Sequence, residues 1–297
     1  MPKPARKIQD QIELLKSRNM SFGDIEKASH FLSNISYYRL KGYWWEMQDN
    51  KIQHHFSDNS SFEDVISIYN FDRNFRLIVF NAIERIEISL RTKLIYHMSL
   101  GYGPYWYYNP SLFQEQKKLA SFLSKVFQDM GLSSEEFIIK HFENHPNEHP
   151  ESWKAFEVLT LGTLSKLYQN IQHQLPEKNQ IAKDFGLNNQ KYLASWLLTI
   201  TVIRNIIAHH SRLWNRVIIN KYDWPRQSIK PLLSYVPDNH QRRKIFPILS
   251  AIIYMINEIS PGNHIKDELV SLFADNPTIQ LVRMGFPQNW SNEPIWQ

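Results

Sequence analysis

Between Phe75 and Leu94, apolar residues recur at steps of three and four: Phe75, Ile78, Val79, Ala82, Ile86, Leu90 and Leu94. That spacing puts them on one face of an α-helix and predicts a helix over residues 72–100. A helix of this length must cover its apolar face, which commits the chain to packing helix on helix. Composition agrees. Nine glycines in 297 residues leave few turn sites, and 42% hydrophobic content can fill a core. The alternation in RVIINKY is too brief for a sheet. We therefore expect an all-α protein, with a second long helix over residues 189–211 as the main partner of the first.

Further helices are expected over 5–18, 23–33, 111–130, 133–143, 153–174 and 240–259. Ser21 is the expected N-cap of the second. Gly and Pro in GYGPYWYYNP end the long helix, and three prolines keep residues 222–239 irregular. Three regions follow. Residues 1–65 form an N-terminal helical extension with an aromatic and basic segment. Residues 66–260 form the main helical domain, with a helical insert at about 105–150. Residues 261–297 add a short helix and tail.

There is no cysteine, which excludes a disulfide framework and a thiolate nucleophile or metal site. No apolar run approaches membrane-spanning length and the N-terminus lacks an apolar leader, so a soluble, cytoplasmic protein is expected, with no membrane partner. The net charge is +5, yet residues 204–244 alone hold nine Lys and Arg against two acids. The basic excess therefore sits in one stretch, as a polyanion such as nucleic acid would require; a solvated basic surface reads equally well from charge alone.

That stretch opens with TVIRNIIAHHSRLWNR. On a helical wheel Leu193, Trp196, Leu197, Ile200, Ile203 and Ile207 form one stripe, and Arg204 falls inside it. An arginine there needs a partner, and Glu84 or Glu87 on the first long helix is the expected one, with Arg91 beside them. Asn205 and His209, four apart, share the opposite side. Arg204 and His209 lie about 140° apart on an ideal helix. Either the helix distorts after Ala208 or two copies share a site, which makes a homodimer the second option. A surface cation and an ordinary hydrogen-bonded histidine would fit the same letters. As chemistry, His209 suits proton transfer near neutral pH, and Arg204 with amide donors suits a phosphate gaining charge. No neighbouring carboxylate cluster calls for a divalent metal, and no cofactor is expected. His, Arg and Asn together point to RNA cleavage through the ribose 2′-hydroxyl, which supplies its own nucleophile.

Other segments carry weaker signals. In ISYYRLKGYWW, Tyr38, Leu40, Tyr43 and Trp44 are expected mostly in the core, with Arg39 and Lys41 left to meet RNA phosphates. Arg212, Arg216, Arg242, Arg243 and Lys244 are further phosphate candidates. His141, His145 and His149 are four apart, but Pro146 interrupts any helix that would align them on a metal.

RNIIAHH resembles the Arg-x4-6-His signature of the HEPN superfamily of helical ribonucleases. ISYYRLKGYWW, FDRNFRLIVFNAIERIEISLRTKL, WKAFEVLTLGTLSKLY and RNIIAHHSRLWNR occur in the order and approximate spacing of the Abi-like phage-resistance proteins of the AbiD/AbiF type. The resemblance covers roughly residues 8–260. It implies a HEPN-like helical bundle, commonly dimeric, in which paired motifs build an RNase site. Arg204 would stabilise the phosphate, Asn205 orient it, and His209 act as general acid or base, with His210 as helper. It further implies an abortive-infection endoribonuclease, with a structured noncoding RNA as the partner that holds it in check. A catalytically silent RNA-binding sensor and a helical interaction protein with no RNA role are the alternatives.

Overall fold

The computed structural model describes residues 4–297. Among the described residues there are twelve α-helices, seven short 3₁₀ turns and one two-stranded hairpin, so the chain is all-α as expected. It divides into two compact units, Met1–Leu77 with Leu272–Ile279, and Ile78–Ser271 with Gln280–Gln297.

The first unit holds α1 (Ile8–Lys16), α2 (Ile25–Asn34), α3 (Tyr37–Trp44), and the strands β1 (Gln48–Asn50) and β2 (His55–Phe56). It also takes the start of α4 (Phe62–Tyr102). The cap of α2 is Asp24, which accepts the Lys27 N–H at 2.9 Å. Ser21, the expected cap, instead accepts the Phe62 N–H through its carbonyl at 3.0 Å. The antiparallel pairing of β1 with β2 has no counterpart in the sequence pattern. Leu40, Tyr43 and Trp44 are buried as expected, but Tyr38 is 80% exposed. A buried polar group joins α3 to α4. The Tyr43 hydroxyl donates to Asp72 at 2.7 Å, and Arg76 Nε reaches the same oxygen at 3.2 Å.

The second unit holds the remainder of α4, then α5 (Gln116–Gly131), α6 (Glu136–Asn144), α7 (Ser152–Ala155), α8 (Leu161–Asn170), α9 (Pro176–Lys183), α10 (Gln190–Ala208) and α11 (Ile245–Ile259). The twelfth helix, α12 (Ile265–Ala274), follows. α11 is the core element. Every residue from Ile245 to Ile256 is buried, as in a helix apolar on all sides. α10 packs against α8, α9 and α11. Its stripe Leu193, Trp196, Leu197, Ile200, Ile203 and Ile207 is buried, each side chain contributing about 1.5–3 kcal/mol.

The helix expected over 153–174 is broken. Phe156–Val158 is a 3₁₀ turn, Leu159 and Thr160 are extended, and α8 begins at Leu161. The helix α9 was not legible as periodicity; its signal was Pro176 at the first helical position followed by Glu177. Among the described residues no helix is long and apolar enough to cross a membrane.

Candidate functional site

α10 starts where the Asn189 side chain accepts the Lys191 N–H at 2.8 Å, and it stops at Ala208. The stop is a Schellman turn. His210 takes a left-handed backbone (φ 53°), its N–H donates to Ile207 O at 2.8 Å, and the Ser211 N–H donates to Ile206 O at 2.9 Å. The helix expected to reach residue 211 is therefore three residues shorter. His209 caps the helix, its N–H still on Asn205 O at 3.0 Å as in a regular turn, so the distortion expected after Ala208 begins with His210.

Asn205, His209 and His210 are all exposed around this turn. Arg204 is not deeply buried as the stripe suggested; its side chain keeps 30% exposure at the edge. Its Nε lies 3.9 Å from Glu87 Oε2, so Glu87 is the partner and exposed Glu84 is not. Glu87 is well anchored. Its Oε1 accepts the Leu161 N–H at 3.0 Å, the first of α8, and Arg91 Nη2 at 3.4 Å. Arg91 also donates to Phe156 O at 3.0 Å and Leu159 O at 2.9 Å, and faces Glu157 at 3.7 Å. Glu87 and Arg91 of α4 thus hold the break before α8 and, through Glu87, reach Arg204. Glu157 and the 156–161 backbone belong to this group; no sequence spacing marked them.

The other basic candidates divide. Arg212 lies over the Trp214 ring at 5.7 Å, and Arg216 Nη1 donates to Arg212 O at 3.2 Å. Arg242 donates to Tyr222 O at 2.8 Å and Asn239 at 2.9 Å, Lys244 to Arg283 O at 3.0 Å, and Arg243 is exposed. The Ile218 N–H on Arg243 O at 2.7 Å folds the chain after the motif back against the 3₁₀ turn Gln241–Arg243. Arg216 and the Arg242–Lys244 cluster are therefore neighbours, whereas Lys230 pairs with Glu258 of α11 at 2.7 Å. In the first unit Arg39 is exposed, whereas Lys41 is half-buried and lines a cavity of about 530 Å³ with Arg6 and Arg18. His141 is buried, with Nε2 on Glu148 O at 3.2 Å, while His149 stacks on Tyr108 at 4.5 Å. Among the described residues, no group of three or more histidines and carboxylates is placed to hold a metal ion.

The family model described as Abi-like protein matches residues 30–215, more than half of the chain. The chain belongs to the Abi-like family. The Abi-like match runs from α2 through the Arg204–His210 segment and ends at Asn215, so Tyr38, Lys41, Glu87 and Arg91 fall inside it. The later basic residues Arg216–Lys244 fall outside it. No curated protein and no solved structure matches this chain.

Proposed function

We propose that this Abi-like protein is an abortive-infection endoribonuclease of the HEPN type, working without a metal at the end of α10. The supporting observation is the turn itself. It presents Asn205, His209 and His210 to solvent while Arg204 is tethered beside them to Glu87. His209 takes the proton from a ribose 2′-hydroxyl, or returns one to the leaving 5′-oxygen. The 2′-oxygen attacks the adjacent phosphorus, the bond to the 5′-oxygen breaks, and the products carry 2′,3′-cyclic phosphate and 5′-hydroxyl ends. Arg204 and Asn205 meet the charge that gathers on the phosphate, and His210 assists. Arg212, Arg216 and the Arg242–Lys244 cluster hold the strand. A homodimer and a bound noncoding RNA complete the proposal on the family resemblance.

The test is incubation with total RNA in excess EDTA, wild type beside His209→Ala, with product ends analysed. Wild type should leave cyclic phosphate ends. His209→Ala should lose about 10²–10⁴ of the rate, as for a general acid or base, and keep its fold. Equal cleavage by both would remove His209 from the chemistry. Salt-dependent RNA binding without cleavage by either would replace the enzyme with a silent RNA-binding module.

A further inference from the structure

We infer that the cavity between α1 and α3 holds one nucleotide of a single-stranded RNA, its base on Tyr38 and its phosphate among Arg6, Arg18 and Lys41. This rests on RNA being the partner, as proposed above, but places a second contact on residues of the first unit that take no part in the proposed chemistry.

The cavity measures about 530 Å³, within the range of pockets that enclose small ligands. Arg6, Arg18, Tyr37, Tyr38 and Lys41 line it, and no carboxylate does. Three other cations of this unit have acidic partners, Lys16 with Glu13 at 3.0 Å, Lys51 with Glu46 at 3.8 Å and Arg76 with Asp72 at 3.2 Å, while among the described residues Lys7, Lys27 and Arg73 form no ion pair but do not line the cavity. Among the described residues Arg6, Arg18 and Lys41 have no such ion pair. Three like charges around one hollow repel each other, and an anion between them reverses the sign of that energy. Arg18 Nη1 is fixed by the Tyr37 hydroxyl at 3.3 Å, so at least one of the three is held in position.

The aromatic component narrows the anion. Tyr38 is 80% exposed beside the cavity, with the Lys41 ammonium 5.7 Å from its ring centroid. A large ring left in water next to clustered cations matches what single-stranded nucleic acid needs: a stacking face for a base and a cationic cradle for its phosphate. A duplex keeps its bases stacked on one another and cannot offer one to Tyr38.

The experiment measures affinity of the full chain, carrying His209→Ala to prevent cleavage, for a short unstructured RNA and for a duplex of the same sequence. Tyr38→Ala should weaken the single strand about 5- to 150-fold, the range for one lost base stack, and leave the duplex unchanged. Lys41→Gln and Arg6→Gln should each lower the slope of log affinity against log salt, by up to about 0.7 in total, the value for the one phosphate they share. Wild-type affinity in Tyr38→Ala, or unchanged slopes in both cation variants, overturns the inference. Cleavage is scored separately on wild type. Tyr38-dependent binding without cleavage keeps this site and removes the nuclease. Cleavage with binding indifferent to Tyr38 does the reverse.

Discussion

His210 closes α10 in a conformation that glycine adopts freely and other residues adopt at a cost of about 1–2 kcal/mol. The two hydrogen bonds of the Schellman turn offset that cost, and the turn leads the chain into buried Leu213 and Trp214. Lys178 is a second residue whose setting differs from its type. It is fully buried, and its ammonium meets Gln169 O at 3.1 Å, His173 Nδ1 at 3.2 Å and Ile171 O. Burial pulls its pKa down to about 7. In the unfolded chain the same amine titrates near its ordinary value of about 10.5. Between those values the unfolded chain binds a proton that the folded chain lacks, so Lys178 makes stability rise with pH across that window and has no slope below it. The Tm of wild type minus that of Lys178→Met should therefore rise from pH 7 to pH 10. A constant difference would mean that the folded amine keeps its proton throughout.

At the scale of elements, the break between α7 and α8 shows how a helix is ended from outside. WKAFEVLTLGTLSKLY has helical spacing throughout, and its local signals are modest: Gly162, and Thr160, whose hydroxyl accepts the Thr163 N–H at 3.4 Å as the cap of α8. Arg91 takes the Phe156 and Leu159 carbonyls, and Glu87 takes the Leu161 N–H, so the backbone groups freed by the break are satisfied. Glu87→Ala removes the acceptor of that N–H and the charge facing Arg91 and Arg204 together. It should destabilise the protein by about 2–3 kcal/mol, the scale of hydrogen bonds to a charged group, read as a shift in the urea midpoint. Cleavage should fall as well, because Arg204 loses its tether. Unchanged stability would mean that water or another group caps α8 equally well.

At the scale of the whole molecule, the proposed homodimer needs an exposed apolar face. In the second unit α4 leaves Ile88 51%, Tyr96 58% and Leu100 73% exposed, and Ile88 adjoins Glu87. Apolar side chains in water along a helix suit a partner surface. Light scattering should report twice the mass of one chain for wild type and a single chain for Ile88→Glu, with helical content preserved. If the site is shared between copies, Ile88→Glu should also lose cleavage. A wild-type mass of one chain would confine the chemistry to a single turn.

Fold class, the course of α4 and α10, and the position of the Arg204–His209 segment were legible from the sequence. Each depends on periodic burial along one continuous stretch, and a period of 3.6 leaves its mark in neighbouring letters. The break before α8, the choice of Glu87 over Glu84, and the meeting of Arg6 and Arg18 with Lys41 were not. Arg91 and Phe156 are 65 residues apart, and no spacing rule links a guanidinium to a carbonyl at that distance. Helix α11 was expected over 240–259 and begins only at Ile245, after the 3₁₀ turn Gln241–Arg243; apolar on every side, it has no face by which periodicity fixes its start. Local burial is written in the sequence, whereas which polar groups satisfy one another is decided only when distant segments pack.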